Sequence, residues 1–348
     1  MAQNLISESL TGARTADGSY IGWREHIIDD PEIAGFALSG SDGLVMGDID
    51  GDGFEDIVSV HEFDAEYDSA SHVAGFVPPA EGHVRIAFGS DNPDQWLNIT
   101  IAEGSDAPAP EDAVIVDLNL DGYLDVVAAA EQSHLIYLQN PGPEARTAIW
   151  PRLILPMSQG QGSYIRVFAA DFDGDGVPEL TAPNKGAQSP GPEDYARSTA
   201  VELYKLSGDP LLASSWQRSE LGRYSIPQNA EPVDLDSDGD LDILVGSRGE
   251  ARLIFFENNN EGSLDFIEHA IGINGSRMGS FNLEYADLNG DGRLDIIGAG
   301  SNGTLVWIEQ PEPIDNAWNA YTIGTLNPDS ITGMEMADIN NDGDMDII

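Results

Sequence analysis

Cysteine is absent from the 348 residues. Disulfide and thiol chemistry are therefore excluded, and so is any zinc site built on thiolates. No run of about eighteen apolar residues occurs, so the sequence offers no transmembrane helix. Basic residues are scarce, 15 against 61 acidic ones, and the formal charge is −46. Such a surface repels nucleic acid and anionic membranes over its average face. Solvation in a salty medium and metal ligation both account for surplus acid, and only position separates them. The opening stretch, Met1 to Gly18, has neither a basic n-region nor an apolar core, so no secretory leader is expected there. Nucleophile motifs are missing too, with no Gly-x-Ser-x-Gly and no His-Glu-x-x-His. Surplus carboxylates give no usable signal for glycoside hydrolysis, because acids are everywhere.

Glycine and proline are abundant, at 38 and 20 residues, which suits a chain of many turns and argues against long helices. One acidic element recurs six times: GDIDGDGFEDIV, VDLNLDGYLDVV, ADFDGDGVPELT, VDLDSDGDLDIL, ADLNGDGRLDII and ADINNDGDMDII. An aromatic precedes each loop at a similar distance: Trp23, Trp96, Trp150, Trp216, Phe266 and Trp318. These open strand-like segments and are expected to pack between repeats. A third element, such as HVRIAFG, HLIYLQNP or ARLIFFENN, follows each loop. Every period thus holds four short strands, A to D, with the acidic loop joining A to B. Four strands per unit, repeated radially, predict an all-β propeller. The segment YIGWREHII reads as a D strand, and the sequence stops within the sixth B strand. The expectation is an extension over 1–19 and a propeller over 20–348, truncated at its C-terminal end, with seven blades in the full ring.

The loop spacing places oxygen ligands at alternate positions, and a glycine at position six permits the sharp turn. The first loop offers Asp48, Asp50, Asp52 and Asp56, with the Phe54 carbonyl. The second offers Asp117, Asn119, Asp121 and Asp125, and the third Asp171, Asp173, Asp175 and Glu179. The fourth offers Asp234, Asp236, Asp238 and Asp242, and the fifth Asp287, Asn289, Asp291 and Asp295. The sixth offers Asp338, Asn340, Asp342 and Asp346. Carboxylates so crowded repel one another without a cation, and calcium takes six to eight oxygens at about 2.3–2.6 Å. Up to one structural calcium per loop is predicted. Six such ions would move the net charge from −46 to −34, so solvation remains part of the explanation. An EF-hand needs flanking helices and a Glu at position twelve, where this chain has Ser59, Ala128 and Ala182.

These loops, the strand pattern and the period resemble the FG-GAP/VCBS repeats of integrin-α-type calcium-binding β-propellers. The literal Phe-Gly-Gly-Ala-Pro signature is not intact; Phe88-Gly89-Ser90 is its nearest remnant. The resemblance implies a propeller with bound calcium. It also implies a range of functions that spans adhesion modules, carbohydrate-binding proteins and some polysaccharide lyases.

In a four-stranded blade the A–B and C–D loops share one end, and the B–C and D–A loops share the other. Calcium is then structural, and the working face lies opposite. Two long B–C insertions, 61–82 and 184–200, map to that face. So do Lys185, Arg197, Arg223, Arg248 and Arg277, accompanied by Tyr164, Tyr195, Tyr224, His61 and His72. They are read either as a cluster that draws an anionic ligand or as loop residues pairing with local acids. The function expected is an extracellular or periplasmic module, monomeric, that binds carbohydrate or protein. The alternative is a lyase on a uronic-acid polysaccharide. Its cation would be Arg223 or Arg277, and its base Tyr164, Tyr224 or His61.

Overall fold

The structure, a computed structural model, describes residues 14–348 except 39, 41–42, 63–81, 132, 260–261, 276–277, 280–281, 301–302 and 326–332. The chain is a β-propeller, and each of the first five acidic repeats builds one sheet in the order A-B-C-D. The first sheet is β1 (Leu44–Gly47), β2 (Asp56–His61), β3 (His83–Phe88) and β4 (Leu97–Glu103). The second is β5 (Pro110–Val116), β6 (Asp125–Ala130), β7 (His134–Leu138) and β8 (Arg152–Ile154). The third is β9 (Phe168–Ala170), β10 (Glu179–Pro183), β11 (Thr199–Leu206) and β12 (Trp216–Tyr224). The fourth is β13 (Pro227–Val233), β14 (Asp242–Ser247), β15 (Arg252–Asn258) and β16 (Phe266–Ala270).

In the fifth, β17 (Ile273–Asn274) adds in parallel to β21 (Trp318–Thr325), outside β20 (Thr304–Glu309), β19 (Asp295–Gly300) and β18 (Leu283–Ala286). The sixth repeat contributes the pair β22 (Met336–Ala337) and β23 (Asp346–Ile347). One helical turn, Pro31–Ala34, has Asp30 as its N-cap and glycine after its end. No helix among the described residues is long and apolar enough to cross a membrane.

Period-two alternation explains how the sheets pack. In β6, Val126 and Ala128 join a core shared with the first sheet, while Val127 and Ala129 join one shared with the third. In β14, Ile243 and Val245 face the third sheet and Leu244 faces the fifth. Each hydrophobic cluster therefore straddles two neighbouring blades. β6 and β14 are buried along their whole length, whereas the D strands β12, β16 and β21 are largely exposed. The A strands β1, β5, β9 and β13 lie each against the next, which makes them the inner strands of the ring.

The repeated aromatics bear out their expected place at four positions and depart from it at two. Trp150, Trp216 and Trp318 are buried in inter-blade clusters, and Phe266 packs against one. Trp150, Trp216 and Trp318 each donate the indole N–H to a carbonyl of the preceding C–D loop, at Ala145, Pro210 and Ile314. Trp96 makes the same bond to Pro93 but is only half-buried. Trp23 is 54% exposed. Residues 20–28 form no strand: instead Arg24 and His26 pair with Asp94, and Asn98 donates to the Ile28 carbonyl. These side-chain bonds tie the segment to the first blade.

Candidate metal centres

Each acidic loop caps an A–B hairpin, and its backbone shape is repeated. The glycine at position six has a positive φ in every loop: Gly53, Gly122, Gly176, Gly239, Gly292 and Gly343. Position four is left-handed as well, even where Leu120, Ser237 and Asn341 stand there, at φ 58, 63 and 56. Holding a β-carbon in that region costs about 1–2 kcal/mol, so the loop geometry is imposed by its bonds.

The first aspartate supplies those bonds. Asp48 accepts from Asp52 N at 3.0 Å and Gly53 N at 2.9 Å. Asp117, Asp171, Asp287 and Asp338 accept the equivalent amides. In all six loops the position-five carboxylate, on Asp52, Asp121, Asp175, Asp238, Asp291 or Asp342, accepts the N–H of position seven, from Phe54, Tyr123, Val177, Asp240, Arg293 and Asp344 respectively.

Position nine has a second role that the spacing did not reveal. Asp56, Asp125, Glu179, Asp242 and Asp295 are fully buried. One oxygen of each accepts the N–H of position two, from Ile49, Leu118, Phe172, Leu235 and Leu288. The other oxygen of Asp56, Asp125, Asp242 and Asp295 accepts an N–H at the end of the C strand, from Gly89, Asn140, Asn258 and Gln310. In the sixth loop Asp346 accepts from Ile339 at 3.2 Å. Burial pushes Asp125 up to about 6 and Asp242 up to about 7; the neighbouring Asp236 and Asp240 add to the latter.

Three carboxylate oxygens converge within 4.8 Å in the first, third and fourth loops, from Asp48–Asp50–Asp56, Asp171–Asp173–Glu179 and Asp234–Asp236–Asp242. The second, fifth and sixth loops carry Asn119, Asn289 and Asn340 at position three, which lowers their charge but keeps an oxygen. The cations around the loops differ more than the loops do. Arg146, in the C–D loop of the second blade, pairs with Asp50 and Asp52 of the first. Lys205 pairs with Asp173, Asp175 and Glu179. Arg293 pairs with Asp291 in its own loop.

The fourth loop makes no ion pair among the described residues, yet holds a fifth carboxylate, Asp240, held up at about 6 by burial and Asp238. Its Asp234 Oδ1 and Asp240 Oδ1 are buried without hydrogen-bond partners. Orphaned, crowded oxygens of this kind are the donor set a hard divalent cation takes. The residues therefore fit calcium at this loop.

At the opposite end of the sheets the predicted cluster only partly assembles. Tyr195, Arg197 and Arg223 come together at the rim of the third blade, through Arg223 to the Ser198 carbonyl and the Tyr195 carbonyl to Ser225. Arg197 pairs with Asp194 and Arg223 with Glu220, at 2.8 and 2.9 Å. Arg248 is exposed and makes no ion pair among the described residues. Lys185 is buried against Glu131, which gathers with Glu62 and Glu111. Arg277 and His72 lie outside the described residues.

The candidate bases do not reach solvent. Tyr164 is fully buried and donates to Glu202 at 2.8 Å. Tyr224 is buried against Phe256. His61 is buried beside Ser59, and burial lowers it to about 4, which keeps it neutral. Burial also raises both tyrosines above their ordinary value.

The inner wall of the ring carries polar contacts that no motif in the sequence marks. Asp112 accepts from Val167 N at 3.0 Å, and Arg166 reaches across from the third blade to Asn282 of the fifth at 2.8 Å. Tyr285 donates to Glu231.

One family model, described as an FG-GAP-like repeat, matches residues 81–182, 234–298 and 287–348. No curated protein matches the chain. Among solved structures, BBS1N in complex with ARL6DN, from a mercury-soaked crystal, is similar over 86% of this chain and 84% of that one. The TM-score is 0.41 and the identity 11%. The same complex from a lead-soaked crystal covers 86% and 84%, at TM-score 0.39 and 13% identity.

Proposed function

The chain belongs to the FG-GAP-like repeat family, and from that premise we propose that it is a calcium-stabilised β-propeller that works as a binding module. The observation that carries this reading is the fourth loop, where five carboxylates gather with two buried oxygens unpartnered and, among the described residues, no basic side chain paired to them. A bound divalent ion supplies charge and ligation there. The chain's own part is to fix the oxygens, through Asp238 and Asp242 on the loop amides.

The ligand, a carbohydrate or a protein, is assigned to the end opposite the loops. There Tyr195, Arg197, Arg223 and Arg248 offer exposed groups on a rigid frame. Burial of Tyr164, Tyr224 and His61 supports binding over lyase chemistry, since a base must touch the C5 proton of the polymer. An extracellular or periplasmic site follows from mass action, because loops of this charge stay empty where calcium is scarce.

Thermal melts in EGTA and in excess calcium test the reading. Calcium is expected to raise the melting temperature clearly, and identical melts would overturn it. A glycan array, with ulvan, pectin, alginate and glycosaminoglycans assayed for unsaturated product, separates module from lyase.

A further inference from the structure

The six loops look alike in sequence, but a residue outside them sets their charge. In each complete blade the residue after position nine pairs with a C-strand partner: Ile57 with Ala87, Val126 with Leu138, Leu180 with Tyr204, Ile243 with Phe256 and Ile296 with Ile308. The residue following each partner stands level with the acidic loop. It is Phe88, Gln139, Lys205, Glu257 and Glu309 in blade order. One register position is therefore neutral twice, positive once and negative twice.

In the third blade the positive residue enters the loop. The Lys205 ammonium binds Asp173, Asp175 at 2.9 Å and Glu179 at 3.0 Å, three of the four expected ligands. An ammonium has three donors, and these three acceptors use them all. A calcium ion would stand at about 2.3–2.6 Å from the same oxygens, in the volume that Nζ fills. The two cannot occupy the loop together. In the fifth blade the same position does the reverse: Glu309 accepts from the loop's Asn289 at 3.3 Å and adds a carboxylate beside it.

We propose that Lys205 is the resident cation of the third loop and that this loop takes no calcium, while the loops beside Glu257 and Glu309 do. The inference rests on the reading of the other loops as calcium sites. The third blade then keeps its hairpin closed where free calcium falls too low to fill the rest.

Two measurements on the whole chain test it, with calcium itself as the probe. The first is amine labelling read by mass spectrometry, which is clean because Lys185 and Lys205 are the only lysines. Lys205 is expected to label equally slowly in EGTA and in saturating calcium. The second is calcium stoichiometry by equilibrium dialysis. Lys205→Gln is expected to bind one more ion per chain than the native protein.

If calcium makes Lys205 reactive, the ion has displaced it and the proposal fails. It also fails if Lys205→Gln folds and native and variant chains bind the same non-zero number of ions. If neither chain binds any, the calcium reading of all the loops fails, which is a distinguishable result and takes this proposal with it. Labelling of the native protein stands even if the variant does not fold.

Discussion

The side-chain amide of Asn140 donates to the carbonyl of Ile49 at 2.8 Å, across the boundary between the first and second blades. The same amide holds its own Leu124 carbonyl at 3.0 Å. Asn258 bridges Phe172 and Leu241 in the same way between the third and fourth blades. Gln310, with a longer side chain, reaches Leu235 between the fourth and fifth. In each case the carbonyl belongs to position two of the preceding acidic loop. The C–D corner of one blade thus buttresses the acidic loop of the one before.

Removing that buttress should weaken the ring at one seam. Asn140→Ala leaves the buried Ile49 carbonyl and the half-buried Leu124 carbonyl without their donor, at about 1–3 kcal/mol for the buried one. Urea unfolding of the calcium-free chain is the measurement, and Asn258→Ala should behave alike. An unchanged midpoint for both would show that water replaces the amide.

Positions five and nine should separate on mutation. Asp121 bonds only within its exposed loop, at Asn119 and Tyr123, so Asp121→Asn should weaken calcium binding and leave the calcium-free melt nearly unchanged. Asp125 accepts from Leu118 N, Asn140 N and the Tyr137 hydroxyl. Asp125→Asn sets an amide against those donors and should destabilise the calcium-free chain by about 1–3 kcal/mol. Equal calcium-free melts for the two variants would refute the structural role of position nine.

The aromatics should differ by burial rather than by motif. Trp150 is 1% exposed in the seam between the first two blades, and Trp150→Ala should cost about 3–5 kcal/mol. Trp23 is 54% exposed, and Trp23→Ala should stay within about 0.5 kcal/mol of the native chain. Paired denaturant melts settle the ranking.

The inner wall gives a pH signature. Burial raises Asp112 from 3.8 to about 6, against the pull of Arg166. Burial, then Glu335 and Glu231, raise Glu284 from 4.5 to about 7, with Arg166 opposing. Both groups bind protons more tightly folded than unfolded. Their contribution is whole below the unfolded values and is lost as pH rises through the folded ones. The calcium-free protein should therefore lose stability between about pH 4 and pH 7. Glu284→Gln should shrink that fall and raise the melting temperature at the alkaline end. A native melt that rises across this window would contradict the assignment.

Most of the frame was legible because it rests on short-range chemistry. Short, nearly continuous apolar runs after each loop give β2, β6, β10, β14 and β19, and position-six glycines give the hairpins. Residues whose meaning depends on a distant partner were not. Lys205 lies 26 residues from Glu179 and reads as an ordinary strand cation until the register is known. Tyr164 and Tyr224 lie near loops in sequence, but Tyr164 and Glu202 meet inside the third blade. The bridging amides left a trace that was available: an amide side chain follows Gln139, Glu257 and Glu309 at the same place in three repeats.

The alternation along β6 and β14 makes each of these strands a party wall, with one tenant on either side. A blade, as the repeat defines it, therefore owns no room of its own: its two faces belong to different cores. Cutting the chain between repeats would open two half-rooms instead of freeing one whole. The unit that packs is the seam between blades, offset by half a repeat from the unit that the sequence counts.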